Sequence, residues 1–146
     1  MPAAEPYIDT SALAKRYIDE AGSDDFDAFL GRWPRALISR LAVVELRCLL
    51  QRRQRAAQID ATYERAALAD FADDIRSGFF QVEPLADRHA VIAYDLIGRL
   101  SGHPLRSLDA LHLAVALSTA ATVLASADRA MARAAGALGI SAVTFG

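Results

Sequence analysis

Residues 6–13 read Pro6-Tyr7-Ile8-Asp9-Thr10-Ser11-Ala12-Leu13. The apolar run at its start is long enough for one short strand and stops at an aspartate followed by two hydroxyl residues. Leu13, Tyr17 and Ala21 then recur at helical spacing, which predicts a helix over 11–20. Strand followed by helix is the unit that the remainder repeats. Gly22-Ser23 breaks the first helix, and 24–32 reads as a second, with acidic residues in its first turn and Trp33-Pro34 at its end. A strand at 36–39 leads into a helix over 41–55. Another helix spans 60–77, ended by Gly78, and 79–83 is a strand before Pro84. Helices are expected at 87–100 and 107–119, the latter almost wholly apolar and so buried on most sides. A strand at 121–125, a helix at 128–138 with Gly139 as its cap, and a strand at 140–145 complete the chain. This alternation predicts an α/β fold, a central parallel sheet of about five strands with helices on both faces. In such sheets ligands bind beyond the carboxyl ends of the strands, so residues just after strands face the binding crevice.

The bulk composition narrows the function classes. The chain has 146 residues, which suits one domain over 1–146 and is enough to bury a core without disulfides or structural metal. A formal charge of -2 argues against a purely electrostatic nucleic-acid coat but leaves room for a local basic patch. The lone Cys48, inside an apolar run, is expected to fill space in the core. The amino terminus has no basic stretch leading into an apolar one, so no secretory signal is expected. The weakly polar stretch 110–127 approaches membrane-spanning length, but His112, Ser118, Thr119, Thr122 and Ser126 interrupt it. A buried helix and strand explain it better, and a cytoplasmic protein is expected. Lys15 is the only lysine among the basic residues. Arginine's planar fork suits phosphate, although a genome-wide bias toward arginine explains that choice as well.

Four acids stand out. Asp9 and Asp128 each follow a strand and precede a helix, where an aspartate caps free backbone N–H groups. Asp109 lies in the first turn of the apolar helix, which the helix dipole favours, yet its neighbours offer little reason for a charge. Glu45 fits a bland role worst. It lies mid-helix on the face of Leu41 and Leu49, where a lone buried carboxylate is costly. Either Arg40 pairs with it or it ligates a metal. In the expected fold all four are able to reach one end of the sheet. Carboxylates crowded together repel unless a cation neutralises them, and hard oxygens suit Mg²⁺ or Mn²⁺. Zinc is disfavoured because no His and Cys pair has its spacing. Thr10, Ser11, Ser107 and Ser126 accompany three of the acids, either orienting carboxylates or capping helices.

The same residues carry a family resemblance. Tyr7 to Leu13 resembles the opening motif of PIN domains of the VapC type, and Ser39 to Leu46, with Glu45, resembles the second. Arg106-Ser107-Leu108-Asp109-Ala110-Leu111-His112-Leu113-Ala114 is similar to the third and is the most specific match. Ala125 to Met131, containing Asp128, resembles the fourth, and 138–145 is similar to the closing strand. The motifs occur in order along the whole chain. The resemblance implies a PIN fold, a divalent metal, endonucleolytic cleavage of RNA, a VapB-type antitoxin partner and a homodimer. It implies metal-site roles for Asp9, Glu45, Asp109 and Asp128, with Asp9 and Asp109 as direct ligands and Glu45 and Asp128 ligating directly, through water, or activating the nucleophile. Arg40, Arg106 and Arg129 are candidate phosphate contacts, and RNA affinity is expected to fall as salt rises.

Competing readings are distinguishable on the same residues. A haloacid-dehalogenase-type phosphatase needs a second aspartate two residues after the first, where Ser11 stands. A receiver domain needs a lysine after a late strand, and Lys15 is far from one. A non-catalytic module using the 47–55 face and the 60–77 helix for partner contacts has no evident need to cluster four acids.

Overall fold

The computed structural model describes residues 5–146, so the first four residues of the amino-terminal reading lie outside the described residues. In chain order the elements are β1 (Tyr7–Ile8), α1 (Thr10–Tyr17), α2 (Ser23–Leu30), β2 (Ala36–Ser39), α3 (Arg40–Arg55) and α4 (Ala61–Arg76). These are followed by β3 (Phe80–Glu83), α5 (Asp87–Arg99), α6 (Ser107–Ser118), β4 (Val123–Ser126), α7 (Arg129–Ala137) and β5 (Ser141–Thr144). Polar side chains set several of the helix starts. Asp9, Ser39, Asp60 and Asp128 each accept a hydrogen bond from a free backbone N–H of the turn they precede, the standard way to satisfy those donors. Helix α1 ends at Tyr17 rather than near residue 20 because Ile18 is already extended and Gly22 turns the chain with φ 88°. Ala21 thus matches the helical spacing without belonging to the helix.

All pairings in the five-stranded sheet are parallel, in the order β3-β2-β1-β4-β5. From β1 the chain builds outward through β2 to β3, then crosses back to lay β4 on the other edge of β1. The direction of winding therefore reverses at β1, and a crevice opens at the carboxyl ends of β1 and β4. Neighbouring residues on a strand face opposite sides, so the sheet divides the core in two. Ile8, Ile38 and Ala125 pack under α1 to α4, while Tyr7, Leu37 and Leu124 pack under α5, α6 and α7. Every residue of β1 and β2 is buried, as a sheet covered on both faces requires. Among the described residues no helix is long and apolar enough to cross a membrane.

The buried stripe of α3 is Ala42, Leu46 and Leu50, an i, i+4, i+8 ladder. Cys48 is exposed. It is not core filler as its apolar neighbours suggested, because two positions from Leu46 is about 200° around the helix. Leu41, Glu45 and Leu49 lie one residue off the stripe and are half-buried. Glu45 therefore stands where α3 passes from the core to the crevice.

Candidate active site

Asp9 is positioned by backbone on both sides. Its N–H donates to the Ala125 carbonyl (3.1 Å), extending the β1–β4 ladder, and its side chain caps α1. Oδ1 accepts from the Ala12 N–H (3.0 Å) and the Ser11 hydroxyl (2.7 Å), and Oδ2 accepts from the Ser126 hydroxyl (2.5 Å). Only 3% of the residue is exposed. Burial pushes its carboxyl above the ordinary value, against the opposing hydrogen bonds from Ser126, Ser11 and the Ala12 N–H. Capping and site formation are thus one arrangement: the loop that starts α1 also fixes this carboxylate. Ser11 and Ser126 serve Asp9 directly, and Ser11 Oγ also accepts from the Ala127 N–H (2.8 Å), tying α1 to the loop after β4.

Glu45 is not paired with Arg40, which is exposed. Its Oε1 accepts from the Thr10 hydroxyl (2.6 Å) and lies 2.6 Å from His112 Nε2. His112 Nδ1 lies 2.7 Å from the hydroxyl of the fully buried Tyr7. Burial raises the Glu45 carboxyl, but the His112 and Thr10 hydrogen bonds outweigh it and hold the group below its usual value. In the sequence His112 stands as an interruption of an apolar run and as one residue of the third motif, with no role of its own. The signal for its role was its place on α6 three residues after Asp109, on the same face.

Asp109 Oδ2 accepts from the Arg106 N–H at the start of α6 (3.2 Å). Asp128 caps α7, its Oδ1 accepting from the Ala130 and Met131 N–H groups (2.8 and 3.3 Å). Asp9, Glu45, Asp109 and Asp128 all line one cavity of about 260 Å³, together with Thr10, Ser11 and His112. Arg106 lies on its rim, as does Arg52, which sequence reading did not single out; Arg40 and Arg129 do not line it. Ser107 is exposed, with Arg106 rather than Ser107 at the cap position.

The donor set fits a hard divalent cation. Four carboxylates face one cavity, no cysteine lines it, and both nitrogens of its imidazole are engaged with protein partners. Asp9 is a buried carboxylate whose hydrogen-bond donors are neutral hydroxyl and amide groups, an environment that a cation would complete. Among the described residues, no three His, Cys, Asp or Glu side chains are drawn together into a ligand cluster. Asp109 and Asp128 are held by donors of their own helix turns, whereas Asp9 and Glu45 are also held by donors from distant elements, Ser126, Thr10 and His112.

A family model for the PIN domain matches residues 7–137. No curated protein sequence matches the chain. Among solved structures, the chain is similar to VapC20 from Mycobacterium tuberculosis, a sarcin–ricin loop cleaving toxin. The identity is 20%, over 96% of this chain and 99% of that one, with a TM-score of 0.74. FitAcB from Neisseria gonorrhoeae is 16% identical over 94% of this chain and 96% of that one, with a TM-score of 0.71. VapBC2 from Rickettsia felis, solved bound to a DNA fragment from its promoter, is 13% identical over 96% and 98% of the two chains, with a TM-score of 0.66. At these identities the likeness is one of fold.

Proposed function

This chain belongs to the PIN domain family, and from that membership we propose that it is a divalent-metal-dependent endoribonuclease, the toxin of a VapBC-type pair acting in the cytoplasm. The observation that carries the reading is that acids from four separate elements line one cavity at the carboxyl ends of β1 and β4. The likeness in fold to VapC20, a sarcin–ricin loop cleaving toxin, and to VapBC2 supports it; a VapB-like antitoxin and a homodimer are the protein partners that the family resemblance implies.

Asp9, Glu45, Asp109 and Asp128 would hold Mg²⁺ or Mn²⁺. When bound, the metal supplies Lewis acidity toward the phosphate and toward attacking water. The chain's own residues provide the rest. Ser11, Ser126 and the Ala12 N–H hold Asp9 with both oxygens engaged, so its orientation is set before any ligand arrives. Thr10 and His112 hold Glu45, whose lowered carboxyl pKa keeps it ionised at neutral pH. Arg52 and Arg106 on the rim can contact the flanking phosphates of RNA, offsetting the repulsion between an anionic substrate and an acidic cavity.

The test is cleavage of total cellular RNA by the purified chain with Mg²⁺, with chelator, and as Asp9→Ala. Cutting that needs the metal and falls at least 100-fold in the variant is expected. A folded chain that neither cuts RNA nor is stabilised by Mg²⁺ would overturn the enzyme reading and favour a protein-interaction module.

A further inference from the structure

A glutamate on a helix surface samples several rotamers unless something holds it. Glu45 is held from two directions, by Thr10 of α1 and His112 of α6, and both contacts fall on Oε1. No described donor meets Oε2. An ionised carboxylate has no hydrogen to give, so at 2.6 Å the hydrogen must lie on His112 Nε2. Nδ1 lies 2.7 Å from the Tyr7 hydroxyl, which is fixed inside β1 at the centre of the sheet, and in a neutral imidazole with hydrogen on Nε2 it is the acceptor of that hydroxyl. His112 is 3% exposed and Tyr7 is wholly buried. A leucine at 112 would suit the apolar surroundings of α6, whereas a buried imidazole is costly unless both nitrogens are bonded.

We propose that His112 is a positioning residue of this site. Tyr7 fixes its Nε2–H tautomer and Nε2–H fixes Glu45, so that Glu45 presents Oε2 alone to the cation and its water. His112 itself touches neither substrate nor metal. The proposal rests on the ribonuclease reading. It extends the rigidity of the sheet, through Tyr7 and one imidazole, to the acid carried in the middle of α3.

The experiment has two arms. Long-range ¹H–¹⁵N NMR of the metal-free chain reads the tautomer without reference to activity; a hydrogen on Nε2 and none on Nδ1 is expected. Mn²⁺ affinity by electron paramagnetic resonance and RNA cleavage are then measured for wild type, His112→Leu and His112→Gln. The leucine variant is expected to lose about 10–100-fold in both, the range typical of residues that orient metal ligands. Glutamine, whose amide N–H can reach the Nε2 position, is expected to recover most of the loss. If His112→Leu fails to fold, Tyr7→Phe decides: a population with hydrogen on Nδ1 and weaker Mn²⁺ binding is expected. A hydrogen on Nδ1 in wild type overturns the proposal, as does a folded leucine variant within twofold of wild type. So does Tyr7→Phe with an unchanged tautomer and affinity. A wild-type chain that neither binds Mn²⁺ nor cuts RNA defeats the ribonuclease reading, and the role with it. Loss of the role alone shows as an active wild type matched by His112→Leu.

Discussion

At the scale of single residues, Asp9 combines two demands that oppose each other. Its carboxylate caps α1 and is also buried with neutral donors, and burial raises its pKa. For an acid whose pKa is raised on folding, the charged form costs stability above the folded value. That cost vanishes as pH falls below the unfolded value. Asp9→Asn keeps an oxygen for the Ala12 N–H and removes the charge. In chelator at pH 7 it is expected to melt higher than wild type, by about 0.5–2 kcal/mol, the gain typical when a functional site is relieved. The gain should shrink as pH falls toward about 4, the ordinary carboxylate value. Melts with Mg²⁺ complete the comparison: wild type should be stabilised and the variant not. A variant that melts lower in chelator would show that the carboxylate's hydrogen bonds outweigh its burial.

At the scale of elements, α1 is fastened at its other end to α4. Asp74 accepts from Arg16 Nε (2.9 Å) and the Tyr17 hydroxyl (2.5 Å). Burial raises the Asp74 carboxyl, but the Arg16 and Tyr17 hydrogen bonds and the Arg16 charge outweigh it and leave it below its ordinary value. A depressed carboxyl contributes stability that is present above the unfolded pKa and lost as pH falls through the folded one. Asp74→Asn is therefore expected to cost roughly 1–3 kcal/mol at pH 7, with the gap to wild type closing below about pH 4. Denaturant titrations across that range would read it, and a gap constant down to pH 3 would show that charge is not the cause. Between α1 and α2, Gly22 has φ 88°, and a Cβ there would lie 2.6 Å from the Gly146 backbone nitrogen. Left-handed strain and this backbone clash together predict that Gly22→Ala costs roughly 2–5 kcal/mol. An alanine variant as stable as wild type in urea would mean that the carboxyl terminus yields freely.

At the scale of the whole molecule, α5 leaves Val91, Tyr94 and Ile97 exposed at 64%, 85% and 43%, with Leu108 of α6 exposed at 45%. Large apolar side chains grouped on a surface often mark an interaction face. If the proposed homodimer uses this face, Tyr94→Lys should convert the chain to a monomer in analytical ultracentrifugation while leaving its melt nearly unchanged. A variant that remains dimeric moves the interface elsewhere. The all-parallel sheet, reversing at β1, also accounts for how side chains far apart in sequence share one cavity. Asp9 and Asp128 follow adjacent strands, while α3 and α6 bring Glu45 and Asp109 from opposite faces of the sheet.

The sequence by itself determined the alternation of elements and which acids occupy exits from strands and starts of helices. Those features follow from local periodicity, capping chemistry and breakers such as Gly78 and Pro84, all of which act within a few residues. It also flagged Glu45, because a charge beside an apolar stripe has no local explanation. Only the tertiary structure decided what answers that charge. The partner is His112, 67 positions along the chain, and not the nearby Arg40; Arg52 joins the cavity rim, and Cys48 faces outward. Helical spacing gives the face on which a residue lies. It does not give the element that packs against that face, which depends on sheet order and on contacts between residues distant in sequence.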